Sequence, residues 1–161
     1  QCNTCVFHYC VDWSDYYFWA KDHGIVLGGA FMNMKEELME LLDQAYAPYS
    51  HFRVSSIVVM KDGTFFKGVN VENASYGATI CAERVAILKA VSKGYRKGDF
   101  ARLYVMVDSD QISSCCFQCR QVITEFFEED AEIILSNRNG QAKRYLVSEL
   151  CPFPFQGDDL L

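Results

Sequence analysis

Two short stretches, Cys81-Ala82-Glu83 and Cys116-Phe117-Gln118-Cys119, constrain this chain more than anything else in it. They offer three thiols at metal-ligand spacing and a carboxylate two residues from the first of them. If the thiols serve one ion, the fold must bring two segments distant in sequence to one point. Three protein ligands around a tetrahedral zinc leave the fourth position open for water, which separates catalytic sites from closed structural ones. Zinc lowers the pKa of bound water from about 15.7 toward roughly 7. A carboxylate beside that water, and not itself a ligand, can carry protons from nucleophile to leaving group. Cys81, Cys116 and Cys119 are therefore the candidate ligands of one zinc per chain, and Glu83 the candidate proton carrier. A CxxC alone carries less, because dithiol redox motifs and zinc ribbons share it. A glutamate in a first helical turn also has a plainer use, complementing the helix dipole.

The apolar pattern says what could hold these stretches together. Leu38, Leu41, Leu42 and Ala45 recur at helical spacing, and Pro48 closes that helix. Residues 54–60 and 64–69 are β-rich runs around Lys61-Asp62-Gly63, a hairpin signal. Residues 81–92 read as a helix ending at Gly94, and 117–128 as another. Residues 103–107, 133–135 and 144–147 read as strands, the last two flanking an Asn139-Gly140 turn. Strands alternating with helices indicate an α/β sandwich built on one sheet. Both cysteine clusters fall where the chain turns into a helix, and the N–H groups and dipole there favour thiolate. That suits metal binding, which needs deprotonated ligands. Three thiolates outweigh a dication, so a neighbouring cation must offset the excess. Arg84 is the first candidate and Arg120 the second, unless both are surface residues.

At 161 residues the chain is one domain by length. Residues 1–33 stand apart, holding both tryptophans, Trp13 and Trp19, with no sustained period. They read as an aromatic, Cys-rich leader outside the core fold, with the functional domain over 34–161. Within the leader, Cys2, Cys5, His8 and Cys10 imitate a zinc knuckle without a recognisable spacing. A net charge of -6 and a pI near 5.0 oppose a phosphate-tracking surface. A free small molecule fits this balance better than RNA or DNA. No run approaches the roughly 18 apolar residues of a membrane span, and no basic segment leads into an apolar one at the start. With three of eight cysteines assigned to metal, the expected setting is reducing and cytoplasmic.

Asn70-Val71-Glu72-Asn73-Ala74, Cys81-Ala82-Glu83-Arg84 and Cys116-x-x-Cys119-Arg120-Gln121-Val122 resemble the small zinc cytidine deaminases of pyrimidine salvage. The run from Ala45 to Phe52 and the closing Glu149-Leu150-Cys151-Pro152 are similar too, so the resemblance extends from about Met34 to the C-terminus. It implies a three-layer α/β/α sandwich with a five-stranded mixed sheet. It also implies hydrolytic deamination of cytidine and deoxycytidine to uridine and deoxyuridine plus ammonia, with zinc-activated water and Glu83 as proton shuttle. By the same resemblance Arg84 hydrogen-bonds the zinc thiolates. Phe52 lines the pocket, Ala82 is a substrate contact, Phe155 stacks on the base and Tyr76 reaches a ribose in an adjoining subunit. Asn70 and Glu72 alternate along an extended run and point the same way, so an amide and a carboxylate together could grip ribose hydroxyls. The resemblance further implies a homotetramer with shared active sites, for which Pro152-Phe153-Pro154-Phe155 would be an aromatic interface anchor.

The chain departs from that family pattern at several positions. Cys115 stands where proline usually precedes the second ligand, and could compete for metal. Phe117 and Gln118 replace a glycine and a small residue between the last two ligands, and Ser55-Ser56 replace a small apolar pair. The altered ligand loop leaves a second substrate class open, another aminopyrimidine nucleoside such as blasticidin S. A non-catalytic zinc-stabilised binding module would have no use for Glu83. A dithiol redox protein using Cys116 and Cys119 would hold no tight zinc.

Overall fold

The computed structural model describes residues 33–160, preceded by two short antiparallel strands, β1 (Val26–Leu27) and β2 (Ala30–Phe31). The Cys2, Cys5, His8 and Cys10 group and both tryptophans lie outside the described residues. Helix α1 (Met34–Leu42) starts at an Asn33 cap, whose Oδ1 accepts from the Lys35 and Glu36 amides at 3.2 and 3.5 Å. Glu36 and Glu37 in its first turn suit the positive end of the dipole. The chain leaves α1 before Ala45, earlier than its apolar spacing predicts. The Tyr46 amide donates to Asn70 O instead, and Tyr46 bridges Val71.

Alternation along the strands builds three layers. In β3 (Val54–Met60), Ile57 and Val59 face α1, while Val58 and Met60 face the opposite side. Strand β5 (Phe100–Val107) repeats this, with Tyr104 and Met106 toward α1 and Leu103 and Val105 away from it. Helices α2 (Ala82–Ser92) and α3 (Phe117–Phe126) cover that second face through Ala86, Ile87, Ala90, Cys119 and Ile123. Full burial of one such large apolar side chain contributes about 1.5–3 kcal/mol. With β4 (Phe65–Val69), β6 (Phe127–Asn137) and β7 (Ala142–Leu146) the sheet has five strands in the order β4-β3-β5-β6-β7. Only the β5–β6 pairing is parallel, so the sheet is mixed, as the resemblance implies. A short helix, α4 (Val147–Leu150), follows β7, taking Val147 out of the strand expected over 144–147.

The Lys61-Asp62-Gly63 hairpin forms as the sequence predicts. Gly63 takes φ 87, and Asp62 Oδ1 accepts from the Thr64 amide at 2.8 Å. Ser55 and Ser56 are fully buried in β3, and each hydroxyl finds a carbonyl. Ser55 donates to Leu38 O at 2.8 Å and Ser56 to Tyr104 O at 3.0 Å, so the departure to serine leaves no orphaned hydroxyl there. Gly68 in β4 has a different task. A Cβ there would lie 2.4 Å from Ala82 O and 2.6 Å from the Ala86 amide nitrogen. The missing side chain lets the first turn of α2 rest directly on the sheet.

Candidate metal centre and active site

That close approach fixes Cys81, which occupies the N-cap of α2, while Cys116 occupies the N-cap of α3. Cys119 lies one turn into α3, and its amide donates to Cys116 Sγ at 3.4 Å. The two helices start side by side on one face of the sheet and bring the three thiols together, with all Sγ atoms within 4.8 Å of one another. Among the described residues, these three form the group of ligand-type side chains that converges in this way. Zn–S bonds of about 2.3 Å at the tetrahedral angle place two sulfurs about 3.8 Å apart. The Cys81 and Cys116 sulfurs are 3.8 Å apart and the Cys119 sulfur lies within 4.8 Å of both, so the three are a donor set that could hold a zinc ion.

The electrostatics match. Cys81 is the thiolate of the group, drawn down to about 5 by the hydrogen bond from Cys119 and by Arg84, against partial burial. The same hydrogen bond and its burial push the Cys119 thiol up. Arg84 Nη2 reaches Cys81 Sγ at 3.6 Å and Thr79 O at 3.2 Å, which puts a guanidinium beside the first of the three thiols. Arg120 does something else. Its donors go to Cys115 O, Leu150 O and Ser114 Oγ at 2.8–3.0 Å, and its guanidinium lies over Phe117.

Glu83 is 4% exposed in the first turn of α2, two residues after Cys81. Burial raises its carboxyl above the ordinary range, and the Cys81 thiolate adds to the shift. The Cys115 and Cys119 thiols are within its hydrogen-bonding reach. Cys115 therefore does not join the three converging sulfurs. It is a buried thiol whose pKa is pushed up by burial and by the facing Glu83, and it stands outside the converging group.

The segment after β4 lies against this centre. Val71 pairs with Ile80 through two backbone hydrogen bonds of 2.9 and 3.0 Å, which holds Asn70 and Glu72 next to Cys81 in the fold. Their side chains reach the same loop, as alternation requires. Asn70 Nδ2 donates to Phe52 O and its Oδ1 accepts from the Val54 amide, at 2.8 and 2.9 Å. Glu72 accepts from the Tyr49 and Ser50 amides and from the Ser50 hydroxyl, which lowers its pKa. Ala82 is fully buried. Phe52, Tyr76 and Phe155 are exposed, with Tyr76 edge-on to Tyr49 and Phe155 on the C-terminal segment. The latching of that segment by Arg120 was invisible in the sequence, because its main partners are backbone carbonyls.

A family profile described as the cytidine and deoxycytidylate deaminase zinc-binding region matches residues 31–135. The cytidine deaminase of Halalkalibacterium halodurans is 41% identical over 125 residues, covering 78% of this chain and 93% of its own. The crystal structure of a cytidine deaminase from Burkholderia pseudomallei superposes with a TM-score of 0.73 at 39% identity, over 76% of this chain and 96% of that one. The blasticidin-S deaminase of Bacillus cereus is more distant, at 25% identity over 77% of this chain and 91% of its own. The match covers both helix starts that carry the three thiols, Glu83 and Arg84, and the chain belongs to the cytidine and deoxycytidylate deaminase zinc-binding family.

Proposed function

We propose that this protein hydrolyses cytidine and deoxycytidine to uridine and deoxyuridine with release of ammonia. The observation that carries the reading is the convergence of the Cys81, Cys116 and Cys119 thiols at two helix N-termini with Glu83 buried beside them. These three residues would hold one zinc per chain, whose chemistry is to make bound water acidic near neutral pH. Burial raises the Glu83 pKa, which makes its carboxylate a stronger base, and that carboxylate would take a proton from the water. It would deliver that proton to the ring nitrogen, then take the hydroxyl proton of the tetrahedral adduct and pass it to the amine, which departs as ammonia. Arg84 offsets the excess charge of the thiolates. Asn70 and Glu72 meet the sugar hydroxyls, Phe52 lines the base pocket, and Phe155 stacks on the base.

Cytidine is favoured over another aminopyrimidine nucleoside because the higher-identity relative carries that name, while the blasticidin-S deaminase is more distant. The five cysteines among the described residues are free thiols, which supports a reducing, cytoplasmic setting. No helix among the described residues is long and apolar enough to cross a membrane. We also propose a homotetramer in which Tyr76 and Phe155 complete a neighbour's site, and a leader dispensable for chemistry. A chain beginning at Asn33, which keeps the α1 cap, should retain zinc and turnover, and aggregation or metal loss would make the leader part of the fold. The decisive assay follows ultraviolet absorbance of cytidine and of blasticidin S beside a zinc measurement. One zinc per chain with cytidine loss supports the reading, and zinc without turnover of either substrate overturns it.

A further inference from the structure

We infer that Arg120 is a positioning residue that joins the metal-ligand loop to the C-terminal aromatic segment, so that the two are held as one unit. Its planar fork spans both. Nε donates to Cys115 O at 3.0 Å and Nη2 to Ser114 Oγ at 2.8 Å, on the residues that lead into Cys116. Nη1 donates to Leu150 O at 2.8 Å, at the end of α4. The guanidinium carbon lies 4.7 Å from the centre of the Phe117 ring, between the two ligand cysteines of α3. From the other side Cys151 Sγ donates to Arg120 O at 3.7 Å. The neighbouring Gln121 Nε2 donates to Phe155 O at 2.8 Å. Loop carbonyls have no ladder or helix partner, and one charged side chain satisfies two of them here. A cleft of about 300 Å³ runs between α3 and the tail, lined by Phe117, Arg120, Gln121 and Phe155.

This arrangement gives the first turns of α3 two tasks. Arg120 touches both the loop and the tail, whereas the Gln121 side chain touches the tail. Loss of Arg120 therefore frees both partners, and loss of the Gln121 amide frees one. Lysine cannot replace the arginine, because a single ammonium on a flexible stem does not span three acceptors in a fixed plane.

The test compares the full-length wild type with Arg120→Ala, Arg120→Lys and Gln121→Ala. Zinc affinity is read by competition with a chromogenic chelator, and tail order by hydrogen–deuterium exchange of residues 151–160. The loop half of the inference rests on the zinc reading of Cys116. A wild type that binds no zinc sinks that reading, and the exchange data still test the tail. In Arg120→Ala, loss of charge-assisted hydrogen bonds predicts about tenfold weaker zinc binding and about tenfold faster tail exchange. Arg120→Lys should restore neither. Gln121→Ala should accelerate tail exchange with zinc affinity unchanged. At saturating zinc both Arg120 variants and Gln121→Ala should raise KM for cytidine with kcat nearly kept, since the tail contributes binding rather than proton transfer. Wild-type zinc affinity and exchange in Arg120→Lys overturn the inference, as does zinc loss in Gln121→Ala equal to that in Arg120→Ala. Should Arg120→Ala fail to fold, the lysine and Gln121 variants decide.

Discussion

The proton-carrying task proposed for Glu83 is one whose removal need not disturb its surroundings. Glu83 is buried with a raised pKa, and an amide of the same size keeps its packing while removing the group that accepts and gives protons. Glu83→Gln should keep zinc near one per chain and lose roughly a hundred- to ten-thousand-fold in turnover. Turnover near wild type would take proton transfer away from this residue. The thiols make a second prediction, for the metal-stripped protein. Cys81, with its pKa drawn down to about 5, is ionised at pH 6 to 7, while burial and the Cys81 hydrogen bond keep Cys119 protonated. Thiolate is the reactive form. Iodoacetamide should therefore label Cys81 ahead of Cys119 and Cys115 in that range, with the Cys81 rate falling as pH drops through about 5. Peptide mapping that found Cys119 labelled first would reverse the assignment of the thiolate. The convergence of Cys81, Cys116 and Cys119 was legible in the sequence because metal chemistry demands rare residue types at fixed spacing. The Arg120 latch was not, because any sequence supplies carbonyls. The Glu72 contacts to the loop at Tyr49 and Ser50 depend on a non-local pairing of Tyr46, Val71 and Ile80 that no local pattern announces.

The elements were legible to the extent that their apolar residues alternate or recur. Val54–Met60 matches its expected bounds, since every second residue faces a helix layer. The strand expected at 133–135 runs over Phe127–Asn137. Its first half, Glu128-Glu129-Asp130, is polar and follows α3 directly, so it reads as a helix end. What extends the strand is parallel pairing with β5, from Phe100 with Phe127 to Val107 with Asn137, which is a tertiary fact. Gly68 is the least legible of the determinants, because it looks like an ordinary weak point in a strand. Its Cβ would meet backbone atoms of α2 at 2.4 and 2.6 Å, and backbone cannot swing aside as a flexible side chain does. Gly68→Ala should thus push the first turn of α2 from β4 at a cost of about 1–3 kcal/mol in urea unfolding. Zinc affinity should fall with it, because Cys81 sits at that helix start. Gly77→Ala is the control, with nothing within 4 Å of the added carbon. Equal stability of the two alanine variants would show that α2 has room to move.

At the scale of the molecule, the sheet and its two covered faces leave a set of aromatic residues uncovered. Tyr76 is 73% exposed and Phe155 56%, and Phe153 is fully in solvent. Aromatics are enriched where protein surfaces bury one another. The proposed tetramer gives them an occupant, and a nucleoside pocket on so small a domain gains the walls that exclude water. If Phe155 serves a neighbouring site, each chain contributes Glu83 to one site and Phe155 to another. A homotetramer of Glu83→Gln chains then has intact stacking residues and no proton carrier, and a Phe155→Ala homotetramer has the reverse. Mixed and allowed to exchange, the two inactive proteins should form some sites that pair Glu83 of one chain with Phe155 of the other. Cytidine turnover should rise above the sum of the separate preparations. Each preparation should also scatter light as a tetramer, and an active monomer would rule out shared sites outright. If exchange is proven by mass and no activity returns, Phe155 works in the site of its own chain. The tail held by Arg120 and Gln121 then folds over the chain that carries it.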